Sequence, residues 1–315
     1  MVFPVKTKNM KSNKASPVSL KIILTTVIFF FIFSLEAQNN DGAGFLHKSN
    51  TMAQRWELGI ENKKGIFILT PYRPVYINPV RLVNNLNDQP QSENPAYILP
   101  YKLLYKNYEA TFQFSFKTKI IRRIFWGNGD IWLAYSQKAF WQIYTDKLSR
   151  PIRDMVYEPE LILNFATKYK ISGFNGRMIG LVFNHQSNGY MVPFSRGWNR
   201  IILQAGFEKN NWKITLRPSY KLNLKTDGNP KIADYAGRAE AIVVYNAGKQ
   251  QFSTVMAHSM MFKNGGKGSV QLNYIFPIVN NFKGMLQLFD GYGETLLDYN
   301  HKQATVALGV SFTEW

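Results

Sequence analysis

The sequence predicts an all-β protein, a twelve-stranded antiparallel transmembrane β-barrel. Roughly twelve short segments alternate apolar and polar residues, which is the pattern of barrel strands about ten residues long. Aromatic residues make up 15% of the chain, and they cluster near the ends of these segments. Short and long connections alternate in the second half of the chain, as expected when tight turns lie on one side of a membrane and long loops on the other.

Residues 1–37 have the pattern of a secretory signal peptide. Five lysines precede an apolar run at 22–35, and small residues before position 38 offer a cleavage site after Ala37. The run is shorter than the roughly 20 residues of a membrane-spanning helix, so an uncleaved anchor is the less favoured alternative. Residues 38–65 are polar and irregular, and we predict that they form a periplasmic arm or plug.

The barrel is assigned to residues 66–315, with the candidate active site on its outer wall. Its predicted strands are 66–78, 110–119, 129–144, 159–169, 176–187, 198–208, 212–222, 236–246, 251–262, 267–277, 282–292 and 304–313. An exported soluble β-sandwich is the alternative, but it would show less aromatic banding.

Composition excludes several classes of site and partner. The chain has no cysteine, which excludes a disulfide scaffold and a thiolate zinc site. Its formal net charge of +18 would suit nucleic acid, but the export signal argues against that partner. The basic residues are scattered among aromatics, so an anionic membrane surface is the expected partner.

The segment NHQSNG at 184–189 carries the candidate active site. Because residues two apart in a strand point to the same face, His185 and Ser187 continue the apolar row that contains Phe183. On the next strand, Asn199 begins the apolar row that contains Ile201. Apolar rows of a membrane barrel face lipid, so we expect all three polar groups to lie together on the outer wall.

These three residue types can perform nucleophilic catalysis. Serine becomes a good nucleophile when a base takes its proton, and His185 is within reach of Ser187. Asn199 can orient the imidazole, as asparagine does in some triads. Polar groups beside lipid cost free energy unless they partner each other or have a function. A periplasmic N-terminus sends the fifth strand outward, which places this site at the outer leaflet.

Four motifs, YEPEL (157–161), NHQSNG (184–189), SRGWNR (195–200) and GYGETLLDYN (291–300), resemble the outer-membrane phospholipase A family. The resemblance implies an outer-membrane barrel that hydrolyses sn-1 and sn-2 acyl esters of membrane phospholipids and lysophospholipids. It further implies dependence on calcium (Ca2+) and activation by formation of a homodimer.

The resemblance also implies a ligand set. Calcium would be held by the Ser195 side chain, the Tyr190 carbonyl and Ser149 of the partner subunit, and the Gly189 amide would stabilise the oxyanion. Ser149 follows the third predicted strand, which places it outside, and serine and carbonyl oxygens suit a hard cation. Too few protein ligands occur in one loop for a tight site, and sharing the ion between two subunits would explain that.

Gln137 is predicted to be a dimer contact. It shares its strand face with Leu133, Tyr135 and Trp141, so it is a lone amide in an outward apolar row unless a β-bulge turns it to the lumen. A lipid-facing amide needs a partner, and the same residue of a second copy across a two-fold axis is the simplest one.

Two other functions stay open at this stage. A passive pore or structural barrel would carry polar groups only in its lumen, and the outward triad argues against it. Acyl transfer to another lipid would use the same residues as hydrolysis and differs only in the acceptor.

Overall fold

The structure is a computed structural model, and it describes residues 50–146, 148, 151–223, 227–262, 265–279 and 282–315. The predicted signal peptide, residues 38–49 of the predicted arm or plug, and Ser149 lie outside the described residues. The predicted limits of these segments therefore stay predictions.

Within the described ranges, twelve antiparallel strands close into a barrel, and a short additional strand extends it. The strands are β1 (Thr70–Pro71), β2 (Tyr76–Val83), β3 (Tyr108–Ile121), β4 (Asp130–Trp141), β5 (Ile152–Ile171), β6 (Phe174–Ser187), β7 (Gly197–Lys209), β8 (Trp212–Leu222), β9 (Ala239–Ala247), β10 (Gln250–His258), β11 (Gly268–Val279), β12 (Phe282–Gly291) and β13 (Gln303–Ser311). Each of β2 to β12 pairs with the strand that follows it, and β13 pairs with β2 to close the barrel. The prediction of a twelve-stranded antiparallel barrel is confirmed, and the β-sandwich alternative is wrong.

Two strands differ strongly from their predicted spans, whereas the others agree to within about four residues at each end. The predicted first strand, 66–78, is interrupted: β1 pairs with β3, the ladder breaks at 72–75, and β2 then continues to Val83. Pro71 and Pro74 flank the break, and neither can donate a backbone hydrogen bond to a ladder. Strand β5 begins at Ile152 instead of 159, because the charged residues at its start point into the lumen and are paired there.

The outer wall is apolar along its length. The side chains of Ile179, Phe183 and Leu203 are 49%, 50% and 57% exposed, and such residues alternate with buried ones along each strand. Alternation of this kind is what a barrel embedded in lipid shows. No helix among the described residues is long and apolar enough to cross a membrane.

Ion pairs fill the outer half of the lumen. Glu109 accepts hydrogen bonds from Arg81 at 2.5 Å and from Arg153 Nε at 2.9 Å, and all three side chains are fully buried. Arg81 also pairs with Glu294, and Arg153 also pairs with Asp298. Three strands, β2, β3 and β5, and the connection after β12 are thereby joined through charges that have no access to bulk water.

A second group of paired charges lies directly behind β6. Asn184 donates to Glu158 and to Glu160 at 2.8 Å each. Arg217 Nη2 lies 2.5 Å from Glu160, and Arg73 lies 3.1 Å from Glu158. Buried charges are tolerated only when they are paired and hydrogen-bonded, and these contacts meet that condition.

Helix α1 (Met52–Trp56) lies inside the barrel. A capping box starts it, because Thr51 and Gln54 exchange hydrogen bonds between side chain and backbone. Trp56 packs against Trp132 of β4, and the ammonium of Lys117 lies 3.3 Å from the centroid of the Trp56 ring, a cation–π contact. Within the described part of the predicted arm or plug, helix α1 thus lies in the lumen, and the assignment of the whole segment stays a prediction.

Replacement of Glu109 by glutamine is expected to destabilise the barrel by about 3 kcal/mol, because it leaves two buried guanidinium groups without their shared carboxylate. The free energy of unfolding is measured by urea titration in detergent micelles, followed by the shift between folded and unfolded bands on an unheated gel.

The matched control is Asp88→Asn. Asp88 pairs with Lys102 at 2.9 Å, but the two side chains are 43% and 71% exposed. An exposed pair contributes less than about 1 kcal/mol, so this variant should unfold nearly as the parent does. Equal losses in the two variants would contradict the importance of the buried pairs.

Candidate active site

His185 and Asn199 form a hydrogen bond on the outer wall. They lie opposite each other in the β6–β7 register, and His185 Nδ1 is 2.6 Å from Asn199 Oδ1. An amide oxygen can only accept a hydrogen bond, so Nδ1 carries the proton and donates it. In this tautomer, the Nε2 lone pair is the one that can act as a base.

Ser187 is the last residue of β6 and lies two residues beyond His185 on the same face. It pairs with Gly197 of β7 and with Tyr157 of β5, and its side chain is half-buried. The structure therefore brings His185 and Asn199 into direct contact and places Ser187 beside them. The Cα atoms of Ser187 and His185 are about 6.5 Å apart by strand geometry.

The loop after Ser187 is held together by one buried amide. Asn188 donates from Nδ2 to the Phe194 carbonyl at 2.9 Å and to Asp154 at 3.2 Å. Its Oδ1 accepts from the backbone N–H groups of Arg196 at 2.9 Å and Tyr190 at 3.4 Å. Because Asn188 lies between Ser187 and Gly189, these hydrogen bonds fix the backbone position of both residues.

Gly189 adopts a backbone conformation that favours glycine. Its φ of +69° lies in the left-handed region, and a Cβ there would come within 3.1 Å of the Tyr157 ring. Within the described residues, its N–H donates to no protein acceptor. The amide adjacent to Ser187 is thus available to a ligand.

Arg196 ties the end of the same loop to the neighbouring loop 84–107. Its side chain is buried, and it donates to the carbonyls of Pro193, Ser195 and Tyr97 at 2.9 Å each and to that of Gln91 at 3.3 Å. One guanidinium therefore satisfies four carbonyls and anchors the candidate calcium loop to loop 84–107.

Two members of the implied calcium set, Tyr190 and Ser195, lie on this loop, and Ser149 lies outside the described residues. The Ser195 hydroxyl and the Tyr190 carbonyl form no hydrogen bond to another described residue, so both oxygens are available. Burial, followed by nearby Asp154, raises the pKa of Tyr190 to about 12, so its phenol stays neutral. The described residues contain no group of three or more carboxylates or histidines able to hold a metal.

These donors fit a calcium ion in kind but not in number. Hard neutral oxygens suit Ca2+, which takes six to eight oxygen ligands. The two loop oxygens are too few by themselves, so further ligands from water, substrate or a second subunit would be required.

Gln137 lies on the outer face of β4, but it is not the isolated amide that the strand pattern predicts. The Tyr135 hydroxyl donates to Gln137 Oε1 at 2.9 Å, and Gln137 Nε2 lies 3.1 Å from the sulfur of Met155. The side chain therefore has partners within its own chain. Its place in a dimer interface stays a prediction.

Residues that support the site were missed because they lie far from it in sequence. The motif at 291–300 folds over the lumen, where the Leu297 N–H donates to Asp154 at 2.8 Å and Asp298 pairs with Arg153. Asp154 and Glu158, which share a strand face just before 159, were the available signal that the strand started earlier.

Comparison with known proteins agrees with this architecture. A family model described as phospholipase A1 matches residues 52–312. Phospholipase A1 of Klebsiella pneumoniae is 35% identical over 206 residues, which cover 65% of this chain and 71% of that protein. Outer membrane phospholipase A from Escherichia coli superimposes with a TM-score of 0.70 at 32% identity, covering 79% of this chain and 99% of that one. A Salmonella typhi outer membrane phospholipase, a dimer with bound calcium, gives a TM-score of 0.71 at 31% identity, covering 80% and 95%.

The fold and these similarities define an outer-membrane β-barrel enzyme of the carboxylic ester hydrolase class. The chain belongs to the phospholipase A1 family. The predicted family resemblance and the predicted outer-membrane localisation are confirmed.

Proposed function

We propose that the protein hydrolyses the sn-1 and sn-2 acyl esters of phospholipids and lysophospholipids at the outer leaflet, with Ser187, His185 and Asn199 as its catalytic residues. The observation that carries the proposal is the hydrogen bond between His185 and Asn199 beside Ser187, on the wall that faces lipid. The membrane enzymes that this chain resembles support the same substrate class.

Each residue has a defined step. His185 Nε2 takes the proton of Ser187 Oγ while Oγ attacks the ester carbonyl. The Gly189 N–H donates to the oxygen that becomes negative. Collapse of the tetrahedral intermediate expels the lipid alcohol, which receives the proton from His185. Water, activated by the same histidine, then releases the fatty acid from Ser187.

The position of the triad on the outer wall determines how substrate arrives. His185 is exposed at the end of a row that contains the apolar residues Ile179 and Phe183. A phospholipid in the same leaflet can bring its ester to Ser187 by lateral diffusion, with its acyl chains along the wall. Asn199 carries no charge, so it orients the imidazole and stabilises the imidazolium less than an aspartate would.

Calcium would be held by the Tyr190 carbonyl, the Ser195 hydroxyl and Ser149 of the partner subunit. When bound, the ion supplies Lewis-acid polarisation of the ester carbonyl. Because one loop offers too few oxygens, formation of a homodimer would complete the site, and dimerisation would activate the enzyme.

Replacement of Ser187 by alanine is expected to abolish release of fatty acid from detergent-dispersed phospholipid while the barrel remains folded. Asn199→Ala should lose less activity than His185→Ala, because an orienting neutral group contributes less than the base. A larger loss at Asn199, or near-normal turnover without Ser187, would contradict these roles. Product analysis by mass spectrometry separates hydrolysis, which yields free fatty acid, from transfer, which yields an acylated lipid.

Replacement of Ser195 by alanine is expected to raise the calcium concentration for half-maximal activity about tenfold, the effect of losing roughly 1.4 kcal/mol of binding. Isothermal titration of calcium gives a readout that does not require turnover. Ser172→Ala, in the β5–β6 turn at the opposite end of the barrel, is the control. If the calcium titration of Ser195→Ala matches that of the parent, Ser195 is not a calcium ligand.

Replacement of Gln137 by alanine is expected to weaken the dimer and lower calcium-dependent activity together. Hydrogen bonds of this kind in membranes contribute only about 0.6–2 kcal/mol, which suits a reversible dimer. Crosslinking yield and fatty-acid release are measured on the same preparation over a range of detergent dilutions.

Gln250→Ala is the matched control, because Gln250 accepts a hydrogen bond from Tyr274 at 2.9 Å as Gln137 does from Tyr135, and its strand β10 lies across the barrel from β4. Parental crosslinking by Gln137→Ala at every dilution would show that Gln137 does not hold the dimer.

A further inference from the structure

One connection at the periplasmic end differs from the others. The turns at 172–173, 210–211 and 248–249 each join two strands with two residues, as barrels do on this side. The β3–β4 connection instead runs from 122 to 129 with the sequence RRIFWGNG. Residues 122–128 are all exposed, and they include two arginines and two aromatic residues.

The β3–β4 connection has a defined conformation held by hydrogen bonds and a ring contact. Asn128 acts like a ladder partner for β5, because its side chain donates to the Ala166 carbonyl and accepts from the Ala166 N–H at 3.0 Å each. Phe125 and Asn128 exchange backbone hydrogen bonds of 2.8 Å, and the Phe125 ring lies 5.7 Å from that of Phe165. The tip is therefore fixed against the barrel wall.

The tip presents a tryptophan at a conformational cost. Trp126 and Gly127 have φ of 48° and 84°, the values of a type I′ turn, which normally places asparagine, aspartate or glycine at its centre. A tryptophan in the left-handed region is unfavourable, and its side chain is 100% exposed. An observed backbone outlier of this kind points to a function of the residue.

The register places this tip at a membrane boundary. Tyr157 pairs with Ser187 at the outer site, and Ala166, nine residues further along β5, contacts Asn128. With a rise of about 3.3 Å per residue and a tilt of about 40°, this segment descends roughly 23 Å. The apolar band of a membrane barrel is about 25 Å tall, so the tip lies at the level of the inner-leaflet head groups.

The same tip carries positive charge that the described part of the chain does not neutralise. The side chains of Arg122 and Arg123 form no ion pair with any described carboxylate. Nearby Asp130 is engaged by Lys119 at 2.7 Å.

We propose that Arg122 and Arg123, together with Trp126, form a binding site for the head group of an anionic phospholipid in the inner leaflet. Guanidinium groups bind phosphate oxygens in a bidentate manner, and each cation near a membrane surface favours anionic lipid. Tryptophan is preferred at the boundary between head groups and acyl chains. This site binds lipid without hydrolysing it, at the end of the barrel opposite to Ser187, and it does not depend on the proposed catalytic mechanism.

The test measures lipid retention by the full-length protein in mixed micelles. The lipids are ether-linked phosphatidylglycerol and phosphatidylcholine, which the enzyme cannot hydrolyse, and bound lipid is counted by native mass spectrometry. The parent should retain phosphatidylglycerol preferentially. Arg122→Gln combined with Arg123→Gln should weaken that retention about tenfold. Trp126→Ala should weaken retention of both lipids without changing the preference between them.

The matched control is Lys168→Gln combined with Lys170→Gln, which removes two exposed charges from the same end of the barrel. It should retain phosphatidylglycerol as the parent does. The proposal is overturned if the arginine variant binds phosphatidylglycerol normally, if the lysine control loses as much, or if millimolar inorganic phosphate displaces the lipid. All variants change exposed side chains, and a heat-dependent shift on gels verifies that each barrel is folded.

Discussion

Closure of the β-sheet is the constraint on which the rest of this structure depends. In the hydrocarbon of a bilayer no water is available to backbone N–H and C=O groups, so a sheet with a free edge cannot span it. Pairing of β13 with β2 removes that edge. Once the sheet is closed, alternate side chains must point either to lipid or to the lumen, and the polarity of each position follows from that choice.

Closure explains the charged interior. The lumen of a twelve-stranded barrel is too small to be filled with bulk water around every polar side chain, so its charges pair with each other. Glu109 binds two arginines, and Glu160 accepts hydrogen bonds from Asn184 and Arg217. The contacts of Glu160 stabilise β6 from its lumen side, because Asn184 belongs to that strand. The strand that carries His185 on its outer face is thereby held rigidly from its inner face, which is what a site of defined geometry requires.

The proposed catalytic residues lie on the face where most barrels have only lipid contact. An outward-facing His185 is stable there because Asn199 satisfies it, and Asn188 and Arg196 organise the loop that follows Ser187. The described lumen is occupied by α1 and by paired side chains, an arrangement unlike an open pore. The two ends of the same barrel differ accordingly: one presents a loop built by buried hydrogen bonds, and the other presents cations and an exposed tryptophan.

The sequence alone determined the period-two pattern, and with it the number of strands, most of their limits, and the face shared by His185 and Ser187. Which residues of a strand share a face depends only on their spacing in the sequence, so this can be read without knowing the fold. The tertiary structure decided the early start of β5, the partners of Gln137, the position of α1 inside the lumen, and the contacts of Asn188 and Arg196. Each of these depends on groups from other elements, such as the Asp298 carboxylate that pairs with Arg153 across 145 positions of sequence. Local pattern carries no information about such pairs, because only closure of the barrel brings them together.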